Sequence, residues 1–328
     1  MKQINKLIKL DDTLDVYVVG YKTMGESIIL NFANKFYGLI DCYETKSINK
    51  TEEILESLGV KSLDFICWTH TDLDHTKGLS KIINKFVDYH KTKFFIPEGF
   101  SPKEIFSQFK ENYDNEYSEI FELADEKFHP YNIISSNQNT VQSYSFRYSS
   151  SPTDLVCQIK CYTPISPIVR NLSFQAIEQY FKTGTGKSKP NYFSIVLKLT
   201  IKHQDIIPIN LCFTSDLDNY VIQRMLNEEA LECFAHNLFL KIPHHGSTNS
   251  NKIFPFIKSI GHAATTAYAP SNLPNNDIIK RYKSYGDVSY TNKAGGELGV
   301  IKYKIKLKKQ PIGLIEIDKY EGAAGIIK

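Results

Sequence analysis

Four side chains able to hold a metal, His70, Asp72, Asp74 and His75, fall within six positions of the segment Thr69-His70-Thr71-Asp72-Leu73-Asp74-His75. Two imidazoles and two carboxylates this close together desolvate one another badly unless a cation sits among them. Divalent metals bind such a mix of neutral nitrogen and anionic oxygen. The segment follows the apolar run Phe65-Ile66-Cys67-Trp68, so the pattern predicts a loop at the end of a buried strand. The plainer alternative is a polar turn in which Asp and Thr serve as caps.

A second stretch of the same kind stands far away in the chain. Lys241-Ile242-Pro243-His244-His245-Gly246-Ser247 follows the apolar Leu238-Phe239-Leu240. Between the two, Leu211-Cys212-Phe213-Thr214-Ser215-Asp216 is an apolar strand ending in a carboxylate. A lone strand-end Asp is usually structural. Three strand ends that each deliver ligand-type residues can instead meet at one edge of a sheet and build a site that no local motif could form alone.

Together these residues resemble the metallo-β-lactamase superfamily, whose signature is His-x-His-x-Asp-His followed by later metal-binding His and Asp residues. Asp72 departs from it, standing where the second His is expected. The His-x-Asp-x-Asp-His form with a later His-His-Gly-Ser is similar to the soluble hydrolase domain of the bacterial competence DNA-uptake channel. Asn191-Tyr192-Phe193-Ser194-Ile195-Val196-Leu197 resembles that group's Asn-x-x-Ser-(apolar)-Val-Leu strand, and Tyr285-Gly286-Asp287-Val288-Ser289-Tyr290-Thr291 its closing helix-to-strand passage. The likeness covers residues 15–85 and 190–305 in register and is weak over 90–190.

The resemblance implies an α/β (α+β) fold of four αββα layers carrying an insertion. It implies that His70 and Asp72 hold one metal, that Asp74 and His75 hold another, and that Asp216 bridges both. One histidine of the 244/245 pair would complete the second site; His245 is preferred, with His244 meeting the substrate and acting beside Asp74 in catalysis. Asn191, Ser194 and Ser247 are the expected substrate-binding positions. The cofactor would be one or two divalent ions, zinc or manganese, and the hard oxygen of Asp72 moves the preference somewhat from zinc towards manganese or magnesium. A further ligand is commonly supplied between the first loop and the bridging Asp; His129 is a candidate and His90 a poorer one. Two such ions activate a water and clamp the oxygens of a phosphodiester during in-line attack. The expected activity is therefore metal-dependent hydrolysis of a phosphodiester in DNA or RNA. A small-molecule (phospho)esterase or lactonase is the alternative enzyme, and a non-catalytic binding or partner-regulating module the alternative of another class.

The elements that must position these residues follow from the apolar pattern. Val16-Tyr17-Val18-Val19-Gly20, Ser27-Ile28-Ile29-Leu30-Asn31-Phe32 and Tyr37-Gly38-Leu39-Ile40-Asp41 read as strands. Residues 49–58 show helical spacing through Ile54, Leu55 and Leu58 and stop at Gly59. Leu79, Ile82, Ile83 and Phe86 give a second helix beginning just after His75, its positive end near the site. Residues 100–130 read as helical, whereas 131–155, rich in Ser, Asn and Gln, read as loop or irregular strand. We therefore expect one domain over 1–328, with 100–190 an insertion or lid at the active-site edge.

Composition sets bounds. A chain of 328 residues with 42% hydrophobic content can bury a substantial core, and 39 basic against 36 acidic residues are too balanced for a nucleic-acid coat or a membrane-surface protein. Met1 to Leu10 has no apolar core of signal-peptide length, and no run of about eighteen apolar residues occurs. A soluble, cytoplasmic protein is expected, with a nucleic acid or phosphodiester as partner. Six scattered cysteines in apolar strands suit reduced, buried thiols. Gly184-Thr185-Gly186-Lys187-Ser188 looks like the tail of a P-loop, but Phe181 occupies the place of the required first Gly, so a turn is expected. Lys302, Lys304, Lys306 and Lys308 alternate with apolar residues, as on a solvated face guarding an edge strand.

Overall fold

The computed structural model describes residues 2–9, 11–99, 115–149, 151–171, 190–225, 230–292, 297–307, 315–322 and 324–326. Thr13–Gly20 (β2) and Glu26–Phe32 (β3) are buried along almost their whole length. Their alternate side chains serve two different cores: Val16, Val18, Ile28 and Leu30 face one, Tyr17, Val19 and Ile29 the other. A strand buried on both faces needs cover on both sides, and the rest of the chain supplies it.

Among the described residues, eight strands form the first sheet, in the order β16 (Ile315–Gly322), β15 (Gly299–Lys306), β2, β3, β4 (Phe36–Ile40), β5 (Phe65–Cys67), β6 (Lys93–Pro97) and β7 (Ile133–Ser136). Pairing is antiparallel from β16 to β4 and parallel from β4 to β7. Nine strands form the second, in the order β1 (Lys2–Ile8), β8 (Val141–Tyr148), β9 (Leu155–Cys161), β10 (Leu197–His203), β11 (Ile206–Phe213), β12 (His236–Lys241), β13 (Ser259–Thr265), β14 (Asp287–Tyr290) and β17 (Gly325–Ile326). It too has an antiparallel half, β8 to β11, and a parallel half, β11 to β14.

The sheets face each other across one apolar core. Phe36 of β4 packs edge-on against Tyr144 and Phe146 of β8, at 4.7 and 5.6 Å between ring centroids. Helices close the outer faces. Lys50–Ser57 (α1), Leu79–Phe86 (α3) and Asn115–Lys127 (α4) cover the first sheet through Ile54, Leu55, Ile82, Ile83 and Ile120. Asn219–Met225 (α5) and Asn276–Lys283 (α6) cover the second through Val221, Ile222, Ile278 and Tyr282. The layers therefore run αββα. Each large apolar side chain removed from water this way contributes on the order of 1.5–3 kcal/mol.

Local signals fix the helices that border the site. Asn49 caps α1, its side chain accepting from the Glu52 amide, and Gly59 at φ +66° ends it. A short helical turn, Leu73–Thr76 (α2), precedes α3 and already contains Asp74 and His75, so the helical path starts earlier than the sequence spacing predicts. Gly78 at φ +89° separates the two turns; a Cβ there would lie 2.7 Å from Glu44 Cγ.

Two expectations change. The polar stretch 131–155 supplies β7 and β8, because Tyr144, Phe146 and Tyr148 point inward at every second position while small or charged residues point out. Average composition hides that alternation. β7 lies in the first sheet, and β8 and β9 lie in the second. β15 lies between β16 and β2, not at an edge, and Lys302 on its outer face pairs with Asp15 at 3.0 Å. Residues 184–188 and Lys308 lie outside the described residues. All six cysteines are free and buried. Among the described residues no helix is long and apolar enough to cross a membrane.

Candidate metal centre

The parallel halves of both sheets end at one edge, and the residues just past those ends carry the chemistry. Asp41 follows β4, Thr69 and His70 follow β5, Ser215 and Asp216 follow β11, His244 and His245 follow β12, and Thr266 follows β13. The carboxyl ends of parallel strands are where open α/β sheets bind ligands. Four of these residues hold left-handed backbone without being glycine: Asp41 (φ 56°), Ser215 (46°), His244 (49°) and His245 (51°). Such conformations cost on the order of 1–3 kcal/mol each and persist where the surroundings hold them.

Three imidazoles are anchored by Nδ1 and converge by Nε2. His75 Nδ1 lies 2.8 Å from Asp41 Oδ2, His245 Nδ1 2.8 Å from Thr266 Oγ1, and His70 Nδ1 3.0 and 3.2 Å from the hydroxyls of Thr69 and Ser215. Thr69 in turn donates its hydroxyl and its amide to Asp41, each at 2.7 Å. On the inner side, His75 Nε2 is 3.4 Å from Asp216 Oδ1 and 3.6 Å from Asp74 Oδ2. His245 Nε2 is 3.0 Å from Asp74 Oδ2 and 3.7 Å from Asp216 Oδ1. His70 Nε2 is 3.4 Å from Asp72 Oδ2.

This arrangement leaves buried atoms unanswered. His70 Nε2, His75 Nε2, Asp216 Oδ1 and His244 Nδ1 have no hydrogen-bond partner, a state that costs free energy unless a ligand supplies the missing interaction. One donor atom each from His70, His75 and Asp216 lies within 4.8 Å of the others, and so do donors from Asp74, His75 and His245. Neutral nitrogens with anionic oxygens at these separations fit a divalent cation.

The electrostatics agree. Burial opposes charge on His75, yet Asp74, Asp216 and Asp41 hold its pKa well above the ordinary value. His245 is likewise raised against burial by Asp216, Asp74 and Glu26. Burial pushes Asp216 up, but His245 and His75 hold it well below the usual carboxylate range. A divalent cation would compete with protons for these Nε2 atoms.

Of the residues singled out in the sequence, His70, Asp74, His75, Asp216 and His245 come together in the buried cluster. Asp72 stands at its edge with a side chain 37% exposed, and His244 is the outermost histidine, 20% exposed, its Nε2 3.9 Å from Asp216 Oδ2. Of the two three-residue groups, His75 is common to both, Asp216 belongs to the one with His70, and Asp72 belongs to neither. Ser194 is fastened beside the loop, since its neighbour Ile195 donates its amide to the Thr69 carbonyl at 3.1 Å, and the Ser194 hydroxyl is buried without a partner. Ser247 accepts from the Asn249 amide and so caps the next turn. Asn191 accepts the Ser194 amide through its carbonyl. His129 and His90 do not join the cluster. They precede β7 and β6, at the opposite end of the parallel strands, where His129 Nδ1 accepts from the Tyr131 amide.

Sequence reasoning missed Asp41, Thr266 and Glu26 as parts of the site. Asp41 had a signal, a carboxylate ending the apolar strand Tyr37–Ile40. Thr266 and Glu26 had none that spacing could show.

No family model and no curated protein matches the chain. Among solved structures it is similar to the metallo-beta-lactamase fold protein YhfI from Bacillus subtilis, at 12% identity and a TM-score of 0.44 over 86% of this chain and 98% of that one. It is also similar to a new diphosphatase from the PhnP family, at 11% identity and a TM-score of 0.43 over 90% of this chain and 99% of that one. Activity and substrate are therefore argued from the site itself.

Proposed function

We propose that this chain is a metal-dependent hydrolase that cleaves phosphodiesters, with DNA or RNA as the substrate class. The observation that carries the reading is the convergence of imidazole Nε2 atoms and carboxylate oxygens that are buried and lack partners. His70, His75, His245, Asp74 and Asp216 would hold one or two divalent ions, zinc or manganese, with Asp72 an outer oxygen ligand. A cation there supplies Lewis acidity towards a phosphoryl oxygen and acidifies an attacking water.

The remaining steps belong to the chain's own groups. Asp74 orients the attacking water and accepts its proton. His244, outermost of the histidines, meets the substrate at the mouth and steadies the departing oxygen. Asp41, Thr69 and Ser215 keep the rings of His75 and His70 turned inward. Ser194 is the best placed of the three substrate-binding candidates, since its hydroxyl is unengaged; Asn191 and Ser247 would flank it. The nucleic-acid assignment is supported by the combined His-x-Asp-x-Asp-His, Asn-x-x-Ser-x-Val-Leu and His-His-Gly-Ser set.

Metal-loaded protein should be incubated with labelled single- and double-stranded DNA, RNA, bis(p-nitrophenyl) phosphate and a lactone. Cleavage of the diesters is expected. Turnover of the lactone alone would overturn the substrate class. Purified protein that holds no metal, with Asp216→Ala changing neither metal content nor activity, would overturn the enzyme itself.

A further inference from the structure

Glu26 opens β3 of the first sheet and Lys241 closes β12 of the second, and the two meet at 2.7 Å with exposures of 2% and 0%. Lys241 Nζ also donates to the Ile242 carbonyl at 3.2 Å. The Thr266 hydroxyl donates to the same Glu26 Oε2 that Lys241 engages. His245 Nδ1 lies 2.8 Å from Thr266 Oγ1 and 3.4 Å from Glu26 Oε2.

The direction of every proton in this chain of contacts is determined. A carboxylate paired with an ammonium accepts and has nothing to donate. Thr266 has one hydroxyl proton, and committing it to Glu26 leaves only lone pairs facing His245. Nδ1 of His245 must therefore carry the hydrogen, and Nε2, which faces Asp74 and Asp216, is the nitrogen free to ligate.

We propose that Glu26, Lys241 and Thr266 form a positioning device that fixes the tautomer and ring orientation of His245 and so sets the metal affinity of the site. The role rests on the reading of His245 as a metal ligand. It parallels the hold of Asp41 on His75, with a difference: here the carboxylate acts through a hydroxyl and is itself held by a lysine from the strand that delivers His245.

Thr266→Val removes the hydroxyl at nearly constant shape, and Thr266→Ser restores it. Zinc and manganese affinities of the full chain are measured by chelator competition, and the His245 Nδ1 proton is followed by 15N-edited NMR in the zinc-loaded protein. Thr266→Val should lose affinity by about 10- to 100-fold, the scale of lost support behind a ligand, and should lose the slowly exchanging Nδ1 proton. Thr266→Ser should keep both. The double variant Glu26→Leu with Lys241→Met, which removes the charge pair together and leaves Thr266 with no acceptor at position 26, should repeat the loss. Wild-type affinity and an unchanged Nδ1 proton in Thr266→Val overturn the proposal. A wild-type chain that binds neither metal overturns the site and this role with it, a result distinguishable from the first because it appears without any variant.

Discussion

Two buried polar clusters lie side by side at the edge where the parallel strands end, and they handle buried charge in opposite ways. In one, Glu26 and Lys241 neutralise each other at 2.7 Å, and Thr266 fills a further place on the carboxylate. Although burial works against its charge, Lys241 and His245 hold Glu26 down to about 2. In the other, Asp74, Asp216 and the imidazoles approach to 3.0–3.7 Å while His70 Nε2, His75 Nε2 and Asp216 Oδ1 stay without hydrogen bonds. His245 belongs to both, Nδ1 turned to the closed cluster and Nε2 to the open one. A closed cluster holds a structure together; an open one is arranged for something that must still arrive.

The largest effect is expected in the open cluster. Asp216→Ala removes the carboxylate that His75 and His245 both approach, so bound metal should fall and the chemical step slow by roughly a thousandfold or more. Asp74→Ala should slow single-turnover cleavage on the same scale while folding survives. Metal analysis and single-turnover kinetics decide, and wild-type turnover in either variant would erase the distinction between the clusters.

The closed cluster should answer through stability. Lys241→Met alone strands the Glu26 charge in a buried site and should cost about 3–5 kcal/mol, whereas adding Glu26→Gln should recover much of the loss. Urea unfolding of the single and double variants measures it. Equal losses in both would mean that the pair is not the neutralising unit it resembles.

The contrast also shows what the sequence could say. His70, Asp74, His75, Asp216 and His245 were legible because each sits a few residues past an apolar run, and strand ends in parallel sheets meet. Their supports were not. Thr266 and Glu26 are 240 positions apart and come from opposite sheets, so no local window contains the contact. β8 was hidden for another reason: its inward Tyr144, Phe146 and Tyr148 are interleaved with Ser and Arg, and a composition of Ser, Asn and Gln masked the alternation. The left-handed turns at His244 and His245 likewise had no marker in the sequence; the first is held by a contact 29 positions away, the His244 amide donating to the Ser215 carbonyl at 2.9 Å.

A buried histidine away from the site sharpens the comparison by pH. Burial lowers His262 to about 4, with Asp287 only partly opposing, and its Nε2 meets the Ser289 hydroxyl at 2.7 Å. His75, ringed by carboxylates, is raised instead. Between about pH 4 and 6.5 the unfolded chain binds the His262 proton and the folded chain does not. Stability from this residue is therefore complete above about 6.5 and is lost as pH falls towards 4, by up to about 3 kcal/mol. Unfolding free energies across that range, compared with His262→Gln, isolate the contribution; parallel pH curves for the two proteins would show that His262 is not held neutral.

The smallest and most specific effect concerns Asp72, the one ligand-type residue of the loop that neither cluster encloses. Its side chain is 37% exposed and lies 3.4 Å from His70 Nε2. As a hard oxygen ligand it would favour manganese or magnesium over zinc. Asp72→His removes a negative charge and adds a borderline nitrogen. Zinc affinity should rise relative to manganese by on the order of tenfold, the low end of what changes around a metal produce, and the metal giving the fastest turnover should change with it. Because Asp72 is only partly buried and takes no part in the Nδ1 contacts of His70, His75 and His245, the variant should unfold at the wild-type midpoint. Competition titrations with both metals supply the decisive ratio. An unaltered zinc-to-manganese ratio, with normal stability, would place Asp72 outside the metal shell and leave the open cluster to His70, Asp74, His75, Asp216 and His245.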